Sequence, residues 1–264
     1  MVQMDRIAQA MEGRPTMTNE PHLSVTQLNT YLRCPLQYFF RYTCHLKTPP
    51  NGDMTLGRTI HEVIAENYRQ KMRTRQDLPV SQIVDMFSDR WEHQVEEVAF
   101  DDQDKLGLLK DEGIRLLDLY HKTVAPTVQP VEVERQFLVE TGATRLPLMG
   151  FIDLIDDQGN IVDHKTAKRS YPERAAEKDI QLTAYAMAYR RLFGKDERSV
   201  RFDVMVRNKQ PKMQQLSATR TQEDIDRFLA IAEQIERGIN AEIFYPNEGY
   251  VCGYCGFGEI CEKW

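Results

Sequence analysis

The sequence predicts an α/β protein with a mixed central β-sheet flanked by helices, and three observations carry that expectation. From about Leu56 to Val124, apolar residues recur at three- and four-residue spacing ("VSQIVDMFSDRWEHQVEEV", "LGLLKDEGIRLLDLYHKTV"), the period of helices. Short β-branched runs follow, "VEVERQFLV", "LMGFIDLI" and "IVDHKT", separated by glycine-containing turns as strands are. A helix from Ala175 to Phe193, a strand "SVRFDVMVR" and a helix from Gln222 to Ile239 complete the alternation.

In chain order, residues 1–20 are polar and proline-containing, and are expected to form a mobile leader ahead of a single domain over 21–264. Ser24 and Gln27 have the spacing of a capping box, so a helix starts at "SVTQLNTYLRC". Pro35 resets it into "PLQYFFRY", which puts Cys34 at a helix junction. A helix from Leu56 to Arg73 opens a mainly helical insertion, 56–125, before the strand-rich core of 130–210. The chain ends in a cysteine-rich turn, "YVCGYCGFGEICEKW".

Composition excludes more than it identifies. With 264 residues, 41% hydrophobic and 28% charged, the chain can bury a sizeable core. It contains no run of about 18 apolar residues and no basic-then-apolar leader, so neither a membrane span nor a secretory signal is expected, and the expected location is the cytoplasm. A net charge of -6 argues against coating nucleic acid by bulk electrostatics and leaves room for a local basic groove. The five cysteines, Cys34, Cys44, Cys252, Cys255 and Cys261, are odd in number and lack an export signal, which favours metal binding over disulfides. No G-x-x-x-x-G-K-[ST] occurs, "FGKDE" failing the pattern, so any strand unwinding would fall to a partner chain.

The stretch "GFIDLIDDQGNIVDHKT" places two acids among apolar residues. A turn centred on Gln158 sets Asp153 opposite Asp163 in an antiparallel hairpin, and like charges so placed repel unless a cation compensates them. Hard divalent ions are held by one or two carboxylates with water and substrate phosphate. Lys165, two residues past Asp163, shares its strand face. The plainer alternative is a solvated strand face paired by Lys165 and Lys168.

These residues carry a resemblance. "GFIDLI", then "IVDHKT" after a turn, resembles the core hairpin of the PD-(D/E)xK nuclease superfamily in its RecB-like branch. "GRTIHEVIAENY" is similar to that branch's first-helix motif and "QLTAYAMAY" to its Q-x-x-x-Y motif. The order agrees, over roughly Ser24 to the end of the chain. The resemblance implies that His61, Asp153 and Asp163 ligate magnesium or manganese, joined by the backbone carbonyl of His164. It implies that Lys165 orients or deprotonates the attacking water and stabilises charge on the phosphorane, and that Gln181 and Tyr185 contact DNA or hold Lys165. The motif's leading proline is absent, Phe151 and Ile152 preceding Asp153.

Cys252, Cys255 and Cys261 read C-x2-C-x5-C, with Cys34 far upstream. A tetrathiolate zinc site more often shows two C-x-x-C pairs. One remote cysteine plus a C-terminal trio resembles the 4Fe-4S staple of AddB-type nucleases and of the CRISPR-associated adaptation exonuclease, joining 34 to 245–264 and leaving Cys44 to pack. Basic residues gather at Lys165, Lys168, Arg169, Arg174 and Lys178, and again at Arg69, Lys71, Arg73 and Arg75, as a phosphate-tracking groove would require. The expected function is a metal-dependent DNA exonuclease, acting on single-stranded DNA or DNA ends in recombination, repair or CRISPR adaptation. The alternative is a catalytically idle DNA-binding subunit serving a helicase or integrase. Ring-shaped oligomers occur among the proteins it resembles.

Overall fold

A computed structural model describes residues 21–96 and 103–264; the expected leader, 1–20, lies outside the described residues. The elements are β1 (Leu23–Ser24), α1 (Val25–Arg33), α2 (Pro35–Tyr38) running into a π-helical turn (Phe39–Thr43), α3 (Gly52–Thr74), α4 (Val80–Val95) and α5 (Gln103–Thr123). Then come β2 (Pro130–Val139), β3 (Leu148–Asp156), β4 (Asn160–Ala167), α6 (Ile180–Phe193), β5 (Ser199–Val206), β6 (Lys212–Ala218), α7 (Gln222–Asn240) and α8 (Gly258–Cys261).

Six strands form one mixed sheet in the order β1-β3-β4-β5-β6, with β2 also paired to β3. The β3–β4 and β5–β6 pairs are antiparallel, while β1–β3 and β4–β5 are parallel. Parallel β4 and β5 need a crossover, and α6 supplies it. No helix among the described residues is long and apolar enough to cross a membrane.

Contacts divide the described chain into two compact units. The larger, 49–137 and 151–225, holds the main core. Leu56, Ile60, Val63, Ile64 and Tyr68 repeat at helical spacing, and α3 buries that stripe against Phe87 and Trp91 of α4 and Leu116 and Leu117 of α5. Leu154, Val162 and Met205 bring the sheet into the same cluster. Gly113 allows the closest helix approach: a Cβ there would enter the Phe87 ring and stand 2.9 Å from Leu56 Cδ1. Both neighbours are fully buried and cannot yield. Gly113→Ala is expected to destabilise by about 2 kcal/mol, because overpacking outweighs the gain in helix propensity. A melting temperature equal to or above wild type would contradict this packing.

The smaller unit, 21–48, 138–150 and 226–264 among the described residues, is aromatic. The capping box expected at Ser24 forms, Ser24 Oγ accepting from Gln27 N at 3.0 Å and Gln27 Oε1 from Ser24 N at 2.6 Å. Cys34 ends α1 and caps α2. Tyr31, Tyr38 and Phe39 pack rather than stack outward: Tyr38 meets Tyr31 at 5.6 Å, and Phe39 meets Phe244 at 4.9 Å and Trp264 at 5.2 Å.

Two helix boundaries and one strand differ from expectation, each for a local reason. The α3 helix starts at Gly52 rather than Leu56, because the Asn51 side chain accepts from Met54 N at 2.9 Å. The α6 helix starts at Ile180 rather than Ala175, because extended Asp179 caps Leu182 N while 173–178 form turns. Strand β6 was not expected; "KMQQLSA" buries only Leu216, so it lacks the apolar alternation that reveals a strand.

Candidate active site

Hairpin β3–β4 holds the register expected from the turn, with Leu154 opposite Val162 and Ile155 opposite Ile161. The ladder stops there, so Asp153 and Asp163 do not pair across it. The reason is chemical: Asp153 Oδ2 takes the backbone N–H of His164 at 2.8 Å, a donor the ladder would otherwise use. Beyond this point alternation along β4 separates the side chains, His164 going to Tyr120 on α5 and Asp163 and Lys165 to α6.

On the first side, His61 of α3 places Nε2 2.7 Å from Asp153 Oδ2. Its Nδ1 stands 3.3 Å from Glu134 Oε1. Glu134 reaches it from within β2 by adopting left-handed backbone, φ 51°, a strained state for a residue with a Cβ. Burial disfavours a charged imidazole, but Asp153 and then Glu134 override it and push His61 up to about 10. His164 is the opposite case: burial, aided by the charge of His61, takes it down to about 3, so the ring is neutral. Its Nε2 lies 2.8 Å from Tyr120 Oη, itself 2.7 Å from Tyr68 Oη, a buried chain that fixes the ring and turns Nδ1 toward Asp153 at 3.8 Å. Among the described residues, His61, Asp153 and His164 are the group whose donor atoms all lie within 4.8 Å of one another.

On the other side, Asp163 is 1% exposed and both its oxygens lack a hydrogen-bond partner. Its one close cation is Lys165 Nζ at 2.7 Å, near enough for an ion pair but without hydrogen-bond geometry. Burial raises the Asp163 carboxyl to about 7, with Lys165 opposing and Asp153 adding to the rise. Burial disfavours charge on Lys165 too, yet Asp163 and Asp153 hold it above its ordinary value. Lys165 Nζ donates to Gln181 Oε1 at 3.2 Å, and Gln181 Nε2 donates to Tyr185 Oη at 2.7 Å. The Tyr185 ring is buried against Phe137. Gln181 and Tyr185 thus reach the lysine in series, as residues one helical turn apart allow.

Both sides open on a groove of about 1040 Å³ lined by His61, Glu134, His164 and Lys165. Its other basic walls are Arg58, Arg69 and Arg90. Of the cations that the sequence places in a phosphate-tracking groove, Lys165 and Arg69 line it, whereas Lys168 pairs with Asp53 at 2.6 Å, Arg174 with Glu177 at 2.7 Å, and Arg169 and Lys178 are exposed outside its lining. Lys71 is buried between Asp77 and the Ala125 carbonyl, both at 2.7 Å, and so serves the fold. Sequence reasoning passed over Glu134, the His164 ring with Tyr120 and Tyr68, and Arg90, for which no motif gives a signal.

In the smaller unit, Cys34, Cys252, Cys255 and Cys261 line one apolar pocket with Leu36, Phe40 and Phe257. Backbone amides point at the sulfurs: Gln37 and Asn247 at Cys34 and Gly249 at Cys252, each at 3.4 Å. Cys44 is buried away from that pocket.

A mixed sheet that brings two buried carboxylates and a lysine to one hairpin is an arrangement suited to phosphodiester chemistry. The sequence matches the PD-(D/E)XK nuclease superfamily over residues 22–262, and the chain belongs to that superfamily. Among solved structures it is similar in fold to a candidate exonuclease from Eubacterium rectale, with TM-score 0.60 and 11% identity, covering 92% of this chain and 93% of that one. It also overlays on the protein SSO0001 over 98% of this chain and 93% of that one, at TM-score 0.46 and 14% identity, a level that carries no argument. Comparison with curated proteins returns no match.

Proposed function

We propose that this chain is a metal-dependent deoxyribonuclease of the RecB-like branch, a single nuclease domain over 21–264 that removes nucleotides from single-stranded DNA or DNA ends. The observation that supports it most is Asp163, a buried carboxylate with two unpartnered oxygens beside Lys165, adjoining the His61–Asp153–His164 group. A buried carboxylate in that state fits a cation ligand.

The residues that would hold the ion are His61, Asp153 and Asp163, with His164 contributing its backbone carbonyl or its ring. Imidazole with carboxylate suits manganese better than magnesium, so manganese is the ion expected to support higher activity. When bound, it would acidify water and neutralise the non-bridging oxygens of the scissile phosphate. Lys165 would meet the charge developing on that phosphate, steadied by Gln181 and, through it, Tyr185.

The second part of the reading is a 4Fe-4S cluster on Cys34, Cys252, Cys255 and Cys261. Four thiols around one apolar pocket with amides aimed at sulfur support it. One remote cysteine with a C-x2-C-x5-C trio suits a cluster better than the two C-x-x-C pairs more usual at a tetrathiolate zinc site. A cytoplasmic setting and a helicase or integrase partner complete the proposal, the partner being expected because "FGKDE" fails the phosphate-loop pattern.

The test is cleavage of end-labelled single- and double-stranded DNA by anaerobically purified protein with manganese, magnesium or chelator. Metal-dependent loss of label supports the nuclease reading, and the label's position gives polarity. Binding without cleavage under any metal would favour the idle-subunit alternative.

A further inference from the structure

Among the described residues, one cation in the groove has no protein partner. Arg58 pairs with Glu62 at 3.1 Å, Arg69 with Glu66 at 3.4 Å and Lys165 with Asp163 at 2.7 Å. Arg90, on α4, lines the same groove, yet among the described residues its guanidinium makes no hydrogen bond or ion pair. Its Nη1 is shut off from solvent with nothing to donate to. The nearby acid cannot serve it: Glu62 gives Oε1 to Arg58 at 3.1 Å and Oε2 to Gln94 Nε2 at 2.7 Å.

The position is rigid. Gln94, one turn further along α4, is tied to Thr59 and Glu62 of α3, and Phe87 and Trp91, on either side of Arg90 in the helix, are buried in the core. A desolvated donor left unpaired in this way destabilises the free protein, so it points to an acceptor arriving through the groove. Guanidinium is planar and donates in a fork, which matches a phosphate's two oxygens.

Resting on the nuclease reading, we propose that Arg90 binds a backbone phosphate of the substrate strand other than the one being cut. Lys165, beside Asp163, serves the scissile group. Arg90 stands on α4, and among the described residues no hydrogen bond or ion pair joins it to His61, Asp153 or His164, so it holds the strand rather than the reacting atoms. It is a binding residue and sets the minimum length of a good substrate.

The test compares wild type with Arg90→Met, which keeps the apolar stem, and Arg90→Lys, which keeps the charge but loses the fork. Two substrates are used: a single-stranded oligonucleotide, and the p-nitrophenyl ester of thymidine 5′-phosphate, which has no second phosphate. Arg90→Met is expected to raise the oligonucleotide KM about tenfold with kcat held, while ester hydrolysis changes less than twofold. The slope of log affinity against log salt, read by anisotropy of the labelled oligonucleotide with chelator, falls by about 0.7. Arg90→Lys recovers the salt slope but only part of the affinity.

Equal losses on both substrates would mean a fold or catalytic defect and overturn the proposal, as would an unchanged oligonucleotide KM and salt slope. A wild-type protein that binds but does not cut sinks the nuclease reading and leaves the anisotropy comparison to judge Arg90. If wild type neither binds nor cuts, both fall.

Discussion

Lys165→Met should lower kcat for oligonucleotide cleavage about a thousandfold while changing KM less than threefold. The lysine stem crosses the Phe202 ring, with Nζ 5.7 Å from its centroid, and ends between Asp163 at 2.7 Å and Gln181 at 3.2 Å. Its side chain keeps 29% exposure, directed into the groove. A fixed donor aimed at developing negative charge is worth roughly two to three powers of ten, and here the donor carries a full charge in a partly dry site. Ground-state binding spreads over the rest of the groove, so KM hardly moves. Methionine keeps the stem's volume, which separates charge from packing. It also leaves Asp163 as a buried carboxylate with no counter-charge, so the metal-free variant should melt below wild type, with divalent ion restoring part of the loss. Single-turnover cleavage and thermal melts with and without manganese read both effects. A kcat within tenfold of wild type would remove Lys165 from the chemistry.

That prediction was largely legible in the sequence because strand alternation is strict. Once "IVDHKT" is a strand, Asp163 and Lys165 must share a face, and the turn at "DDQGN" fixes which residue of β3 comes alongside. The four cysteines were legible for a similar reason, since a rare residue repeated at short spacing stands out against background. What escaped was set by long-range packing. Glu134 meets His61 only because β2 turns left-handed at that residue, and nothing in "VEVERQ" announces it. The His164 ring finds Tyr120 and Tyr68 because the helical insertion packs on that face of β4. The basic clusters were informative in part, since Lys165 and Arg69 line the groove. Charge runs show where cations are common, but pairing decides which remain available, and Lys71, Lys168 and Arg174 are taken by Asp77, Asp53 and Glu177. Arg90, alone in its stretch, keeps its donors.

Cys255→Ser is expected to reduce the stability of the smaller unit by about 5 kcal/mol and to abolish bound iron, whereas Cys44→Ser should leave iron unchanged. A cluster on Cys34 and the C-terminal trio closes most of the chain into a loop, and cross-linking a loop of that size is worth about 5 kcal/mol in chain entropy. Besides the cluster, the tail rests on a small set of ring contacts, Phe257 on Phe40 and Trp264 on Phe39 and Phe40. Tyr250 and Tyr254 are exposed by 81% and 72%, α8 has four residues, and the apolar cluster there has only Leu36, Phe40 and Phe257 fully buried. Metal binding in such a segment is folding free energy, so losing one ligand should free the tail to proteases. Cys44 is the internal control, because it is buried, does not line the pocket and has a thiol that burial pushes up, away from thiolate. Iron and sulfide analysis with limited trypsin digestion after Lys263 and Arg237 reads the outcome. Wild-type iron and wild-type protease resistance in Cys255→Ser would exclude the cluster, and zinc in place of iron in the wild-type protein would keep the four ligands but change the metal. The His61–Asp153–Asp163 residues belong wholly to the larger unit. Metal-dependent hydrolysis of the p-nitrophenyl ester should therefore survive in Cys255→Ser at temperatures where the tail is already cleaved, which separates a structural cluster from a catalytic one.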